Sequence, residues 1–222
     1  MLNKLANMSN IISRHIISLI LITLLVSYSY VYIEQYNYPP IRSDGEGYYA
    51  YLPSYLIYKD LTMEQLAKER FNGDFPVTTG IQRFPSTGSY LDKYPIGVAV
   101  LVLPFFLLGH FLSIIMGYPT DGYSFFYQHS VGLSGLFYML AGIYLLKKNL
   151  RKYFSEEITL ATLLAALFGT NLFHYGTYDS IFSHTFSFFL FSALIFLILK
   201  WYTKPDSYKI SILLGVFLQL RK

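Results

Sequence analysis

The sequence predicts an all-α fold, a polytopic membrane helix bundle whose long extracytoplasmic first loop carries juxtamembrane helices. Composition indicates the membrane class, because 54% of the 222 residues are hydrophobic and only 14% are charged, whereas soluble domains carry about 25% charged residues. Helices are predicted because apolar runs long enough to cross a bilayer recur along the chain. A long outside loop is predicted because nine of the 13 acids lie within residues 34–124.

Charge and cysteine content restrict the classes of function. The chain has no cysteine, so no disulfide braces it outside the cytoplasm and no thiolate acts as a nucleophile or metal ligand. The formal net charge is +4, which the usual excess of Lys and Arg on the cytoplasmic side of a membrane protein explains. A nucleic-acid partner is therefore not predicted.

The first span is predicted over residues 14–33. About 18 nearly uncharged residues follow Arg14, enough to cross roughly 30 Å of hydrocarbon at about 1.5 Å per residue. A cleaved signal peptide is the alternative, but this run is longer than the usual apolar region of about 7 to 15 residues and no small-x-small site follows it. Lys4 and Arg14 precede the span, which predicts a cytoplasmic N-terminus.

The apolar run 95–117 allows two threadings of the chain. If it crosses the membrane fully, the basic stretch 147–152 falls in a short outside loop, against the positive-inside rule. If it is embedded or re-entrant at the outer face, that stretch is cytoplasmic. Pro104 lies near the middle of the run and predicts a broken helix. We therefore predict the second threading, with 34–124 as one extracytoplasmic loop.

The later spans are expected over 125–146, 158–177, 181–200 and 209–222. The last of these is too short to cross a bilayer. The chain is therefore expected to be a single membrane domain, 1–222, that lacks its C-terminal part. Within the long loop, a short helix is predicted to about Phe71, because Thr62 followed by Gln65 fits a capping box.

The stretch "RSDGEGYYAYLP" carries the first candidate site. Asp44 and Glu46 follow the first span closely, where Gly45 and Gly47 would let a ligand approach the backbone. A carboxylate there could deprotonate a hydroxyl or hold a divalent cation. The structural alternative is a capping box between Ser43 and Glu46 at the start of a helix, where acids also complement the helix dipole.

Two further constellations carry candidate site residues. In "HYGTYDSIFSH", Asp179 lies between two apolar runs with His174 and His184 on either side, and an acid so close to membrane depth suggests a function. The alternative is a hydrogen-bonded interfacial cluster, and the spacing is not characteristic of zinc. In "LDKYPIG", Lys93 opens the embedded run and Arg83 lies upstream. Such basic side chains bind phosphate, or alternatively reach lipid headgroups.

Taken in order, these motifs resemble a family. "SDGEGYYAYLP" resembles its acidic motif in the first outside loop, "DKYPIG" its Lys/His-Pro segment opening a juxtamembrane helix, and "TYDSIFSH" its acidic turn between later spans, with "KKNLRK" closing the second span. The chain is similar to the lipid-phosphate-sugar-dependent glycosyltransferases of the GT-C superfold, such as protein O-mannosyltransferases and aminoarabinose transferases. The resemblance covers essentially all 222 residues, as the N-terminal portion of a longer protein.

The resemblance implies transfer of a sugar from a polyprenyl-phosphate donor to a lipid, glycan or protein acceptor at the outer face of the bacterial inner (plasma) membrane. It implies that Asp44 is the general base or, in metal-dependent relatives, a ligand of a divalent cation. Lys93 would neutralise the lipid phosphate as it leaves, and Asp179 would line the acceptor side. Three further side chains are candidates for substrate binding: Glu46, Arg83 and His184.

A membrane transporter, or a truncated and inactive membrane subunit, is the alternative from a different class. The embedded run would then line a path and Asp179 would bind an ion, which suits broken helices and acids near the midplane. The acids of this chain cluster at one predicted face of the membrane instead, and this favours chemistry at a surface.

Overall fold

The computed structural model describes residues 2–34 and 39–220, which are mostly helical. The helices are α1 (Leu2–Ser29), α2 (Asp44–Leu52), α3 (Glu64–Phe71), α4 (Gly97–Met116), α5 (Phe125–Leu150), α6 (Glu156–Phe168), α7 (Leu172–Thr177), α8 (Ser183–Thr203) and α9 (Tyr208–Leu220). Two short strands, β1 (Ile81–Arg83) and β2 (Tyr90–Asp92), pair antiparallel between α3 and α4. The predicted helical class is therefore confirmed, with one small hairpin added in the loop.

Three helices of the described residues, α4, α5 and α8, are long and apolar enough to cross a membrane. Of these, α5 and α8 correspond to the predicted spans 125–146 and 181–200. Within the described residues, two further apolar helical stretches, Ser18–Tyr32 and α9, are shorter than a full crossing. Residues 35–38 of the predicted loop and 221–222 of the last predicted span lie outside the described residues.

The region 158–177, predicted as one span, forms two helices instead. Helix α6 ends at Phe168 and α7 begins at Leu172. The Thr170 hydroxyl donates to the Ala166 carbonyl at 2.6 Å and accepts the Leu172 amide at 3.2 Å. Such local side-chain bonds compete with the helical ladder. Because the apolar pattern continues through the break, hydrophobicity alone could not reveal it.

The run 95–117 contains one unbroken helix, α4, although Pro104 lies inside it. The predicted break is therefore absent. Pro104 removes one backbone donor, but α4 is held against α5 along its length. The Tyr138 hydroxyl donates to the Leu101 carbonyl at 2.8 Å, and the hydroxyls of Ser113 and Ser124 lie 3.2 Å apart. These contacts also show that α4 and α5 run antiparallel.

Helix α8 packs parallel to α5 and contacts the C-terminal half of that helix. The Asn149 amide donates to the Ser192 carbonyl at 3.0 Å, and the Phe188 ring lies against Gly142. With a rise of about 1.5 Å per residue in each helix, Gly97 and Ser183 both lie near about residue 140 of α5. The first residues of α4 and α8 are thus level, and the two helices run from there in opposite directions.

Two apolar cores share α5. One joins α2, α4, α5 and α8 through fully buried side chains such as Tyr49 and Phe106. The other joins α1, α5 and α6 through Leu24, Met139 and Leu163. Helix α3, predicted to about Phe71, also belongs to the first core, through Leu66 and Ala67. The carboxylate of Asp60 accepts a hydrogen bond from the Gln65 amide in the first turn of α3, at 2.8 Å. Asp60 thus caps this helix in place of the predicted capping box.

Candidate functional site

Asp44 is the first residue of α2, at the place where the chain enters the first core. The preceding residue, Ser43, has φ 49° and ψ −129° and makes no side-chain capping hydrogen bond. The capping box between Ser43 and Glu46 is therefore not formed. A positive φ is unfavourable for serine, so local backbone preference does not explain this entry into the helix. The half-buried Asp44 is left to be positioned by the packing around it.

Gly45 and Gly47 allow other segments of the protein, rather than a ligand, to pack closely against the backbone of α2. A methyl group on Gly45 would lie 3.3 Å from the Cβ of Ile181, and one on Gly47 would lie 2.4 Å from the carbonyl oxygen of Thr79 and 2.3 Å from the Tyr94 ring. The backbone of α2 is thus held closely between the turn before α8 and the segment before α4. This packing brings three separate parts of the chain around Asp44.

The segment before α4 places Lys93 near Asp44, with Tyr94 between them. The Lys93 ammonium lies 4.7 Å from the centre of the Tyr94 ring, and that ring packs on Tyr48 at 4.2 Å between centroids. Burial, followed by the nearby Asp44 carboxylate, raises the pKa of Tyr94. The Tyr94 hydroxyl is itself buried and has no hydrogen-bond partner among the described residues. The Asp44 carboxylate, whose interaction with this hydroxyl contributes to the raised pKa of Tyr94, lies close to it.

Asp92 is a site residue that the sequence reasoning did not select. One of its carboxylate oxygens accepts the Tyr94 amide at 2.9 Å, and the other is buried without a hydrogen-bond partner within 2–34 and 39–220. Burial raises the pKa of Asp92 to about 7, although the Tyr94 amide and the Lys93 charge oppose this. Its position directly before Lys93 was the available signal.

Asp179 is held between two basic side chains. The Arg42 guanidinium lies 2.9 Å from one carboxylate oxygen, and Nε2 of His174 lies 2.9 Å from the other. Arg42 also lies over the Tyr178 ring, 4.4 Å from its centre. Asp179 is 16% exposed. Arg42 belongs to the first motif but was not selected as a site residue, because no local spacing links it to a turn 137 residues away.

His184, the second residue of α8, lies near both acids. The charges of both Asp44 and Asp179 act on its imidazole, which stacks on the Tyr175 ring at 3.6 Å between centroids. The neighbouring Ser183 hydroxyl accepts a hydrogen bond from Tyr48 at 3.0 Å, which ties α8 to α2. The structure thus brings Asp44, Asp179 and His184 together from distant parts of the chain.

Two of the predicted substrate-binding residues lie elsewhere. Glu46 is 4% exposed and accepts a hydrogen bond from the Tyr123 hydroxyl inside the core, so it does not face Asp179. Arg83 lies on the exposed β1, 3.8 Å from Glu64, with its guanidinium 4.5 Å from the centre of the Tyr90 ring. Both contacts are local to the hairpin and α3, so Arg83 does not join the cluster.

The cluster borders open space on the side of α1. A cavity of about 600 Å³ lies between the end of α1 and α7, and His174 contributes to its wall. Within the part of the chain that the structure describes, no group of three His, Asp or Glu side chains is arranged to hold a metal ion. The possible divalent cation remains a prediction. The site offers carboxylates, imidazoles and one exposed ammonium group, a set suited to proton transfer and phosphate binding.

Comparison with protein-family models, with curated proteins and with solved structures gives no match. Function is therefore argued from the geometry of this chain alone.

Proposed function

We propose that the chain carries the site of a membrane glycosyltransferase that moves a sugar from a polyprenyl-phosphate donor to an acceptor at the outer face of the membrane. The observation that carries this proposal is the meeting of three parts of the chain at the entry to α2. Gly45 lies against Ile181 in the turn before α8, and Tyr48 donates a hydrogen bond to Ser183. The Tyr94 ring packs on Tyr48 and has the Lys93 ammonium 4.7 Å from its centre. Asp44 is thus close both to the turn that holds Asp179 and to the segment that holds Lys93.

The position of the cluster along the helices supports a membrane-surface site. The basic side chains near the ends of α5 and α8 reach the same ring, because the ammonium groups of Lys148 and Lys200 lie 5.8 Å and 5.3 Å from the Phe196 ring centre. Such a basic end is expected in the cytoplasm. The cluster lies at the other end of α8, 21 residues long, and this length corresponds to about 30 Å, the thickness of a hydrocarbon core.

The same geometry supports an extracytoplasmic or surface position for α4. Helices α4 and α8 have 20 and 21 residues and leave the level of the cluster in opposite directions. Laid end to end they would extend over about 60 Å, about twice the roughly 30 Å of one hydrocarbon core. If α8 crosses the bilayer from that level, α4 and the first half of α5, on which α4 packs, cannot cross it alongside. The loop 34–124 then stays on the outer side.

The chemistry follows from these positions. The acceptor hydroxyl oxygen attacks the anomeric carbon of the donor sugar, and the bond from that carbon to the phosphate oxygen breaks. Asp44 takes the hydroxyl proton as general base. Lys93 stabilises the negative charge that develops on the leaving phosphate. Asp179, oriented by Arg42 and His174, lines the acceptor side.

Asp44→Asn tests the proposal. The amide keeps the size of the side chain but cannot accept the proton, so sugar transfer from a lipid-linked donor in membranes should be abolished at unchanged expression. Asp206→Asn, which changes an exposed acid between α8 and α9, is the matched control and should retain transfer. Turnover that survives in Asp44→Asn would remove Asp44 from the catalytic role.

A further inference from the structure

The cavity beside α1 has the lining of a site for a hydrocarbon chain. It measures about 600 Å³, and its walls include Val26 and Tyr30 at the end of α1 and Phe173 in α7. A volume of this size lies within the range of ligand sites, about 300–1,000 Å³. The lining is predominantly apolar, so it favours a ligand that is apolar over most of its length.

The cavity opens on the face of α1 that points away from the bundle. Val26 is 64% exposed and Tyr30 is 59% exposed, as is Ile22 one turn earlier. These side chains belong to a helix that is apolar over Ser18–Tyr32, so this face is expected to contact lipid. A lipid chain could therefore enter the cavity sideways from the bilayer without crossing water.

The polar part of the cavity wall includes His174, which also contacts Asp179. His174 lines the cavity and its Nε2 bonds Asp179 at 2.9 Å, while Arg42 holds the other oxygen of the carboxylate. When Nε2–H donates to Asp179, Nδ1 keeps a lone pair that can accept a hydrogen bond from a hydroxyl group. This part of the wall therefore fits a polar head that carries hydroxyl groups.

The order of contacts separates this cavity from the predicted phosphate site. Lys93 lies on the Tyr94 ring, Tyr94 lies beside Asp44, and Asp44 and Asp179 approach His184 from different parts of the chain. The cavity is lined by residues of the first helical segment and of α7 and its C-terminal end, whereas Lys93 lies on the Tyr94 ring of the segment before α4. The two sites are thus built from different parts of the chain, so a donor whose phosphate lies at Lys93 leaves the cavity to a second molecule.

We propose that this cavity binds the hydrocarbon chain of a lipid acceptor whose hydroxyl-bearing head group lies at His174 and reaches Asp44 past His184. The proposal rests on the proposed function and selects a lipid over a free glycan or a protein as the acceptor. His174 is then a residue that binds and orients the acceptor, and Asp44 remains the general base.

Photo-crosslinking of the full chain in lipid nanodiscs tests this proposal. The probe is an alkyl glycoside with a diazirine in its chain, and the competitor is polyprenyl phosphate. Val26→Trp fills the cavity mouth, whereas Ile22→Trp places the same side chain one turn away on the same face and is the matched control. Crosslinks to α1 and α7 should be lost in Val26→Trp, retained in Ile22→Trp and unaffected by the competitor.

Equal labelling of the two tryptophan variants would overturn the proposal, because it would indicate general lipid contact. Displacement by polyprenyl phosphate would also overturn it, since the donor would then occupy the cavity. His174→Ala offers a test that leaves the cavity open: labelling by the glycoside should fall while labelling by the matching alkane probe persists. Asp44→Asn should label normally, so failure of the catalytic assignment is distinguishable from failure of the acceptor site.

Discussion

Glu46→Gln tests whether a carboxyl group is buried in the core beneath Asp44. Glu46 is 4% exposed, and burial raises its pKa from 4.5 to about 7, although the hydrogen bond from Tyr123 and the charge of Arg70 oppose the change. Because the folded pKa is above the unfolded value, the fold favours the protonated acid. The ionised form therefore destabilises the fold increasingly as the pH rises from 4.5 to about 7.

The size of this effect follows from the two pKa values of Glu46. At about 1.4 kcal/mol for each pH unit, their difference corresponds to about 3 kcal/mol of stability lost above pH 7. Glutamine has no charge to bury, and its amide oxygen can still accept the hydrogen bond from Tyr123. The stability of Glu46→Gln should therefore depend much less on pH in this range.

Thermal unfolding in detergent at pH 5 and pH 8 measures the difference. At about 2–4 °C per kcal/mol for a chain of this size, the wild-type Tm should fall by about 5–10 °C more than that of Glu46→Gln. Glu69→Gln, which removes an exposed acid from α3, is the matched control and should behave like the wild type. Equal pH dependence in all three proteins would refute the buried ionisation of Glu46.

Two further predictions concern packing and threading. Gly47→Ala should lower stability by about 1–3 kcal/mol, because its methyl group would meet the Thr79 carbonyl oxygen at 2.4 Å; Gly215→Ala, which meets nothing within 4 Å, should be tolerated in the same unfolding assay. Cysteines introduced at Lys148 and Thr120 should react with an impermeant maleimide from opposite sides of the membrane, and labelling from one side would contradict the surface position of α4.

Secondary structure was predictable where hydrophobicity is decisive. Helices α5 and α8 follow from apolar runs, because a backbone in lipid must satisfy its hydrogen bonds within the helix. The hidden break at Thr170 shows the limit of this reasoning, because a hydroxyl that bonds its neighbouring backbone leaves the apolar pattern unchanged. The capping residue of α3 could not be predicted from its motif, because the Gln65 amide donates to Asp60, which lies outside the expected capping box.

The candidate site was predictable only in part. Asp44, Lys93 and Asp179 were selected from their motifs, and the structure brings together the three segments that carry them, since α2 packs on the turn before α8 and on Tyr94. Glu46 was selected with Asp44, but side chains two positions apart on a helix point about 200° apart. One of the two acids therefore faces the cluster while the other enters the core.

By itself, the sequence determined that this is a helical chain with apolar runs long enough to cross a membrane and acids concentrated after the first of them, because composition and run length respond directly to the solvent around each segment. Only the tertiary structure decided which polar side chains meet. The pairing of Arg42 with Asp179 joins positions 137 residues apart. The first residues of α4 and α8 lie at the same height only because of how both helices pack along α5. Contacts of this kind arise from the complementary shapes of packed helices, which no local pattern of residues records.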